Sequence, residues 1–565
     1  MVSYPAIKKS LQFLYSEEDA YLAYTEVEAL ISAYKNRIES NPYTMSEKDV
    51  ILITYGDQVF HAGETALATL DRFLQEYVEG YINTVHILPF YPYSSDDGFS
   101  IVDYKGVCPL KGSWNDILKL KKKHRLMFDG VINHMSQFSG WFQEYLANNP
   151  DYEDFFIDMD PRSDLSEVVR PRTSPLLSKF VDTHDKERNI WTTFSRDQVD
   201  LNYANYKLLV KVLDVLLFYV EKGASLLRLD AIAFIWKNLE TNCVHLPETH
   251  ELIQLMRKVI HEVAPEIFII TETNVPHKEN ISYFGKGDDE AQMVYNFTLP
   301  PLLAYSILSG DTRKLTAWAQ TLVLPSDRVC FFNFTASHDG VGVRAVNGIL
   351  DDEELDFLIQ SCQTHGGLVS YRAIGNASKS PYELNCSYID ILTDPKEDDE
   401  IRMQRMLLSQ AVTLAMPGVP GIYFHSLVGS RNYHEAARKT RVNRSINREK
   451  LNFDNIKEEL AEEGSLRKGI FEAYKQLIAI RIKQKAFDPF ASFTFLDFGK
   501  DIFAIRREDA TSGEVIFAIH NFTASTIEVD LSHILEKPFI DIITSKTYQA
   551  GKHSLTPYQV VWLKN

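Results

Sequence analysis

Eight short apolar runs, each followed by a segment of different spacing, constrain the fold of this chain more than any other feature. The runs are VILITYG (50–56), TVHILPF (84–90), LMFDGVINH (126–134), SLLRLDA (225–231), IFIITE (267–272), MVYNF (293–297), VCFFNFTASHD (329–339) and GIYFHS (421–426). Nearly continuous aliphatic runs of this length read as strands buried on both faces, the mark of a parallel sheet covered by helices. Helical patterns lie between them, for example at 65–79, 205–222, 248–264 and 401–415. Eight such units predict an α/β fold of the (β/α)8 TIM-barrel kind. An open dinucleotide-binding sheet is the rival, and no GxGxxG follows the first strand to support it.

A chain of 565 residues exceeds what one barrel needs, and the surplus falls in four places. Residues 1–47 read as an N-terminal helical extension. The barrel then occupies 48–134 and 205–487. Residues 135–204, rich in Pro, Asp, Arg and aromatics, form an inserted subdomain after strand 3. Residues 340–400 form a loop-rich insertion after strand 7, with the stretch THGGLVSYRAIGNASKS as its most flexible-looking part. From 488 to 565 short alternating strands (FTFLDFG, IFAIRRE, EVIFAIHNF, TIEVDLS, QVVWLKN) predict a C-terminal all-β domain.

Charge and cysteine usage exclude several partner classes. Lys plus Arg number 59 and Asp plus Glu 77, a formal net charge of −18. That field argues against nucleic acid or an anionic membrane, and any anionic substrate needs a local cluster of cations. The five cysteines are scattered without CxxC spacing, which predicts neither a structural metal site nor a disulfide framework and favours a reducing cytoplasm. The N-terminal stretch has no secretory pattern and no run of about 18 apolar residues occurs, so a soluble, cytoplasmic protein is expected. Plentiful aromatics (28 Tyr, 33 Phe, 6 Trp) suit a cleft that binds sugar rings, although aromatics also fill cores.

The fourth run places Arg228 and Asp230 two positions apart, on the same face of a strand. Alone, such a pair is equally well a buried salt bridge with no further role. The ends of the other runs alter the balance. They carry Asp129…Asn133-His134, Thr271-Glu272 and Ser337-His338-Asp339. In a barrel of this kind the active site lies at the C-terminal strand ends, so carboxylates from the fourth, fifth and seventh strands would converge. Taken singly each could be a helix cap or a solvated loop acid. Together they are the machinery of glycoside chemistry, one carboxylate attacking and another, with raised pKa, protonating the leaving oxygen.

DGVINH (129–134), LLRLDAIAF (226–234), IITET (269–273) and FTASHDG (334–340) resemble, in order and spacing, the four motif regions of the α-amylase family of glycoside hydrolases. The resemblance implies Asp230 as nucleophile, Glu272 as general acid/base and Asp339 as the third carboxylate, which stabilises the transition state. It implies that Arg228 keeps Asp230 ionised and oriented, and that His134 and His338 donate to glucosyl hydroxyls. A finer resemblance, to the sucrose phosphorylase branch, is carried by VHILPFYPYSSDDGFSIVDY (85–104), VVRPRTSPLL (168–177), VYNFTLPPLLAYSILSGDT (294–312) and ARKTRVNRSINREKL (437–451). By that match Asp96, rather than Asp97, and Arg444 clamp the far hydroxyls of a single glucose. Phe99 gives an apolar wall and Phe234 lies beside the nucleophile.

The extra length, the helical extension, YPYSSDDGFS in the glucose loop and FFNFTASHDGVGVR around the third acid are similar to the glucosylglycerate phosphorylases of that branch. This resemblance implies a retaining glycoside phosphorylase, a hexosyltransferase that splits 2-O-α-glucosylglycerate with phosphate by double displacement. Its expected partners are a small glucoside and inorganic phosphate, with homodimerisation left open and no metal or other cofactor. A sucrose phosphorylase with fructose as leaving group is the runner-up, and a hydrolase or transglucosidase comes third. A catalytically dead binding module would have lost the acids, and all three are present. Arg172 in RPRTS and Arg372 in the Gly-rich stretch are the candidates for binding phosphate or the glycerate carboxylate, against the plainer reading of solvated loop arginines. Lys105, Lys111 and the run Lys119-Lys121-Lys122-Lys123 read as a solvated face, and the acids of DPKEDDEIR (394–402) as the approach to a helix.

Overall fold

The computed structural model describes residues 4–39, 42–374 and 378–565. Each of the eight apolar runs overlaps one barrel strand: β1 (Ile51–Tyr55), β2 (Thr84–Leu88), β3 (Arg125–Gly130), β4 (Ala224–Leu229), β5 (Phe268–Thr271), β6 (Met293–Tyr295), β7 (Cys330–Phe334) and β8 (Val419–Tyr423). They pair in parallel, each with its neighbours in sequence, and β8 returns to β1 to close the barrel. Closure excludes the open-sheet rival. The strands are buried almost throughout, as runs without polar alternation require. Their crossover helices begin at side-chain caps where the sequence offers them. Thr65 accepts from the Ala68 N–H ahead of Ala66–Tyr77, and Asn205 accepts from the Lys207 N–H ahead of Tyr206–Glu221.

The N-terminal extension is two helices, α1 (Pro5–Leu14) and α2 (Glu17–Lys35). Proline opens α1 and the Ser16 side chain caps α2. The buried side of α2 (Ala20, Ala23, Val27, Ile31, Tyr34) packs on the barrel helices Tyr206–Glu221 and Pro247–Val263. Tyr34 donates its hydroxyl to Asp214 Oδ1 at 2.7 Å, a polar latch at the rim of that apolar seam. At the other end of the chain six strands make one antiparallel sheet and two more pair beside it. Buried Arg507 ties this sheet to the barrel by donating to the backbone oxygens of Ala415 at 3.0 Å and Met416 at 2.9 Å.

Two stretches differ from the sequence reading. The insertion after β7 is less loop-like than its glycines suggest. It holds a helix (Asp352–Thr364) and a three-stranded antiparallel sheet of Val341–Gly342, Leu368–Ile374 and Ser378–Asn385. The alternation in LVSYRA drives this pairing, and its register shifts between Ser370 and Tyr371. Residues 375–377, part of the stretch read as flexible, lie outside the described residues. Lys111 is also misplaced by the reading of a solvated face. It is buried, donates to the Pro89 oxygen at 3.0 Å and lies 5.0 Å from the Tyr93 ring centre. Lys119, Lys121, Lys122 and Lys123 are exposed, and the helix Asp399–Ala415 begins within the acids of 394–402, taking Asp399 and Glu400 into its first turn.

Candidate active site

The floor of the site is built from the ends of adjacent strands. Register places Asp129 of β3 opposite Arg228 of β4, and Ile270 of β5 on the other side of Arg228. One guanidinium therefore serves three carboxylates. Arg228 Nη1 donates to Asp129 Oδ1 and, at 2.8 Å, to Asp230 Oδ1, and its Nη2 is 3.7 Å from Glu272 Oε2. His86 of β2 lies against the other Asp129 oxygen at 2.7 Å, so the buried acid is held from two sides. Directly after Asp230 the backbone of Ala231 enters the left-handed region, with φ +49°. That is a strained conformation for a residue with a Cβ. It turns the Ala231 N–H onto Glu272 Oε2 at 3.0 Å, joining the end of β4 to the end of β5.

Above this floor one cavity is lined by Asp230, Glu272, Asp339, Asp96, Phe99, His134, Phe234, His338, Arg172 and Arg444. Of the residues singled out in the sequence, Arg228 lies beneath the floor and Arg372 outside the cavity lining. The Phe99 ring stacks on His338 with centres 4.6 Å apart and planes 1° from parallel. The Phe99 carbonyl faces His134 Nε2 at 2.9 Å. Phe234 meets Phe194 edge to face at 5.6 Å, giving the other side of the cavity an aromatic wall. The loop after β2 is bent by Asp96 and Asp97, both at φ +51°, a conformation that aspartate tolerates better than most residues. Gly98 follows at φ +121°, where a Cβ would meet the Pro89 oxygen at 2.5 Å. Asp197 holds the same loop by accepting from the hydroxyls of Ser94, Ser95 and Ser100.

Arg444 does not pair with Asp96. Its guanidinium binds Asp339 and Glu383, donating through Nε to Glu383 Oε2 at 3.0 Å. The arginine that reaches the loop after β2 is Arg448, with Nη1 3.4 Å from Asp96 Oδ1 and 2.9 Å from Asp97 Oδ2. Arg448 also donates from Nε to the His338 oxygen at 2.7 Å, so it ties the loop after β2 to the end of β7. RSINR carries both arginines, four residues apart, and only Arg444, which lines the cavity, is singled out from the sequence. Glu383 and Tyr382 were missed as well, because they belong to a strand in a stretch taken for loop. Both line the cavity, and Arg172 lies over the Tyr382 ring at 5.0 Å. The periodic signal was there in SPYELN opposite LVSYRA.

Electrostatics separate the three carboxylates. Burial raises the Glu272 carboxyl to about 7, against the pull of Arg228 and with reinforcement from Asp230 and Asp339. Burial also raises Asp230, and Arg228 and then His134 oppose that shift, so the arginine restrains the rise without reversing it. Asp339 goes the other way: burial would raise it, but Arg444, Arg448, Arg228 and Arg172 together hold it below the ordinary carboxylate range. Burial and then Arg228 and Arg448 keep His338 neutral, far below its ordinary value. Neighbouring carboxyls driven apart in this way can divide the roles of acid and anion at neutral pH.

Residues 76–325 match the family model for the α-amylase catalytic domain. The glucosylglycerate phosphorylase of Spirochaeta thermophila is 45% identical over 522 residues, 91% of this chain and 88% of that protein. The glucosylglycerate phosphorylase of Escherichia coli is 43% identical over 519 residues, 92% of each chain. Among solved structures, sucrose 6F-phosphate phosphorylase from Thermoanaerobacter thermosaccharolyticum superposes with a TM-score of 0.74 at 23% identity, covering 91% of this chain and 99% of that one, a likeness of fold. With an α-amylase-type barrel and relatives of this identity along nearly its whole length, the chain belongs to the glucosylglycerate phosphorylase family.

Proposed function

We propose that this chain is a retaining phosphorylase that cleaves 2-O-α-glucosylglycerate with inorganic phosphate to α-glucose 1-phosphate and glycerate. The observation that carries the reading is one buried cavity whose carboxylates differ in proton affinity, in a chain 45% identical to a protein named for that substrate. Asp230 attacks the anomeric carbon while Glu272 gives its proton to the departing glycerate oxygen, leaving a glucosyl ester on Asp230. A phosphate oxygen then attacks the same carbon, the ester bond breaks to regenerate the Asp230 carboxylate, and Glu272 takes up the phosphate proton. Two inversions retain the configuration. Asp339, kept anionic by its arginines, stabilises the cationic ring between the two steps.

Asp96 and His134 bind far and near hydroxyls of the single glucose, with Phe99 and Phe234 as apolar walls. Arg448 supports Asp96, and Arg444 braces Asp339 against Glu383. Arg172, on the open side, binds phosphate or the glycerate carboxylate. The same reading takes 1–47, 135–204, 340–400 and 488–565 as appendages of the barrel, and a reducing cytoplasm as the setting for five buried free thiols, in a monomer or homodimer. Among the described residues no helix is long and apolar enough to cross a membrane. The test is release of α-glucose 1-phosphate in phosphate buffer from glucosylglycerate and from sucrose in parallel. Release from glucosylglycerate is expected. Release from sucrose alone would replace the leaving group, and free glucose with no glucose 1-phosphate from either would end the phosphorylase reading.

A further inference from the structure

The three carboxylates are not anchored alike. Asp230 and Glu272 are the first residues beyond β4 and β5. Their own N–H groups continue the pattern of the sheet, Asp230 donating to the Gly130 oxygen and Glu272 to the Leu229 oxygen, each at 3.1 Å. Asp339 stands five residues beyond the end of β7. No backbone-to-backbone hydrogen bond among the described residues reaches Ser337, His338 or Asp339. Locally, the Asp339 N–H donates to the Ser337 hydroxyl at 3.2 Å. Left to itself, such a segment has several conformations of similar energy, and its carbonyls lack partners.

The partners come from two adjacent residues about 110 positions further along the chain. Asn447 Nδ2 donates to the oxygens of Ser337 at 3.2 Å and Asp339 at 3.0 Å. Arg448 Nε takes the oxygen between them, that of His338, at 2.7 Å. One amide and one guanidinium thus hold three consecutive carbonyls. Arg448 has further partners in Asp96 and Asp97, whereas the Asn447 side chain makes no other hydrogen bond among the described residues. Asn447 is itself fixed. It is buried at the end of the short turn Asn443–Asn447, and its backbone oxygen accepts from the Tyr423 hydroxyl at 2.7 Å. Tyr423 is the last residue of β8, so hydrogen bonds refer the segment bearing Asp339 back to the barrel. Neither Asn447 nor Tyr423 is among the residues that line the cavity.

We propose that Asn447 is a positioning residue for Asp339, setting through the backbone where the third carboxylate meets the glucosyl ring. It acts on the reaction only through Asp339, and it rests on the phosphorylase reading for the role given to that residue. The positive charge of the ring develops only on the way to and from the glucosyl ester, so a displaced Asp339 costs rate more than affinity. A displacement of about 1 Å can cost on the order of 10²-fold.

The test compares the full-length chain with Asn447→Leu, which keeps the volume and removes the amide, and with Tyr423→Phe, which removes the hydroxyl that fixes Asn447. α-Glucosyl fluoride is the donor and inorganic phosphate the acceptor. Binding of 1-deoxynojirimycin, a cationic mimic of the ring, is measured beside binding of glucose. Asn447→Leu is expected to lower kcat by about 10- to 100-fold with the donor KM changed less than about threefold. It should weaken the iminosugar relative to glucose by a factor close to the loss in kcat/KM. Tyr423→Phe should move the same quantities in the same direction by about threefold to tenfold. A merely structural role would lower the melting temperature and the active fraction while leaving the ratio of iminosugar to glucose affinity as in the parent, and that result would overturn the proposal. So would a raised KM at unchanged kcat, or parent-like kinetics in a folded Asn447→Leu. If Asn447→Leu does not fold, Tyr423→Phe decides by the same ratio, and an unchanged ratio overturns the proposal. If the parent forms no glucose 1-phosphate, the phosphorylase reading fails, while release of fluoride ion still judges Asn447, because Asp339 acts before the acceptor enters.

Discussion

The two ends of the cavity treat charge in opposite ways. At the end that the proposed function gives to glucose, Arg444 binds Asp339 and Glu383, and Arg448 binds Asp97 and lies within reach of Asp96 and Asp339. Arg172, which the proposed function places at the acceptor end, forms no ion pair with an acid among the described residues. The difference reflects what each end must hold. A glucosyl ring is neutral, so groups that bind it are best fixed beforehand by their own ion pairs, which hold geometry at little net gain in stability. Phosphate and carboxylate bring charge with them, and a site already neutralised from within would have nothing left to offer. Between the two ends lies Arg228, shared by Asp129, Asp230 and, more distantly, Glu272. One positive charge among three buried carboxyls cannot keep all of them ionised, and Glu272 is the one that retains its proton to about pH 7.

The largest effects should come from that middle region and should ignore the contrast between the ends. Asp230→Asn removes the attacking carboxylate, and kcat is expected to fall by about 10⁴-fold or more for every donor, measured as glucose 1-phosphate release. A donor-dependent loss would mean that another group attacks. Glu272→Gln is expected to lower kcat by about 10²- to 10⁴-fold for donors whose leaving oxygen needs a proton. α-Glucosyl fluoride, which needs little protonation, should suffer much less in the first half-reaction. The parent enzyme works as an acid only while Glu272 is protonated, so kcat/KM should decline as pH rises through about 7. The folded-state value lies above the ordinary 4.5, so the native state gives up this proton later than the unfolded chain. Stability referred to Glu272 is therefore full below pH 4.5 and lost as pH rises toward 7. Glu272→Gln should flatten that part of a melting-temperature profile. An unchanged profile would show that Glu272 does not titrate there.

Glu383→Gln sharpens the comparison from the glucose end. It leaves Arg444 with Asp339 alone in a buried place, which is expected to destabilise the fold by about 3 kcal/mol. The KM should rise by about tenfold for all glucosyl donors, irrespective of leaving group, since the perturbed end holds only the sugar. Urea unfolding and donor kinetics check both. A rise confined to glucosylglycerate would place Glu383 on the acceptor side and erase the division between the two ends.

How far this site was legible in the sequence depended on the kind of signal. Asp230, Glu272, Asp339 and Arg228 could be located because strand ends in a barrel are fixed by long apolar runs, and each run overlaps its strand. Asp96, Phe99, His134, His338 and Phe234 came with the motifs and do line the cavity. What failed was pairing between segments far apart in sequence. Nothing local in RVNRSINR says that Arg444 turns to Glu383 while Arg448 reaches Asp97 across 351 positions. The glycines around LVSYRAIGN hid a hairpin, and with it Tyr382 and Glu383. Buried Lys111 looked like one more surface lysine, because burial of a single cation leaves no periodic trace.

The smallest predicted effect tests the acceptor end. Arg172 lies over Tyr382 and, at 5.7 Å, near the Phe194 ring, but holds no carboxylate, so its removal strands no buried charge. Arg172→Ala is therefore expected to change stability by only about 0.5 kcal/mol, unlike Glu383→Gln. Its loss should weaken phosphate and glucosylglycerate together, by about tenfold in each KM, because one cation can meet either anion when they occupy the acceptor site in turn. Initial rates over a grid of phosphate and donor concentrations give both constants from one preparation. Equal shifts would support a single shared anion site at Arg172. A shift in one constant alone would divide the acceptor end into separate seats for phosphate and carboxylate. No shift in either would leave Arg172 a packing partner of two aromatic rings.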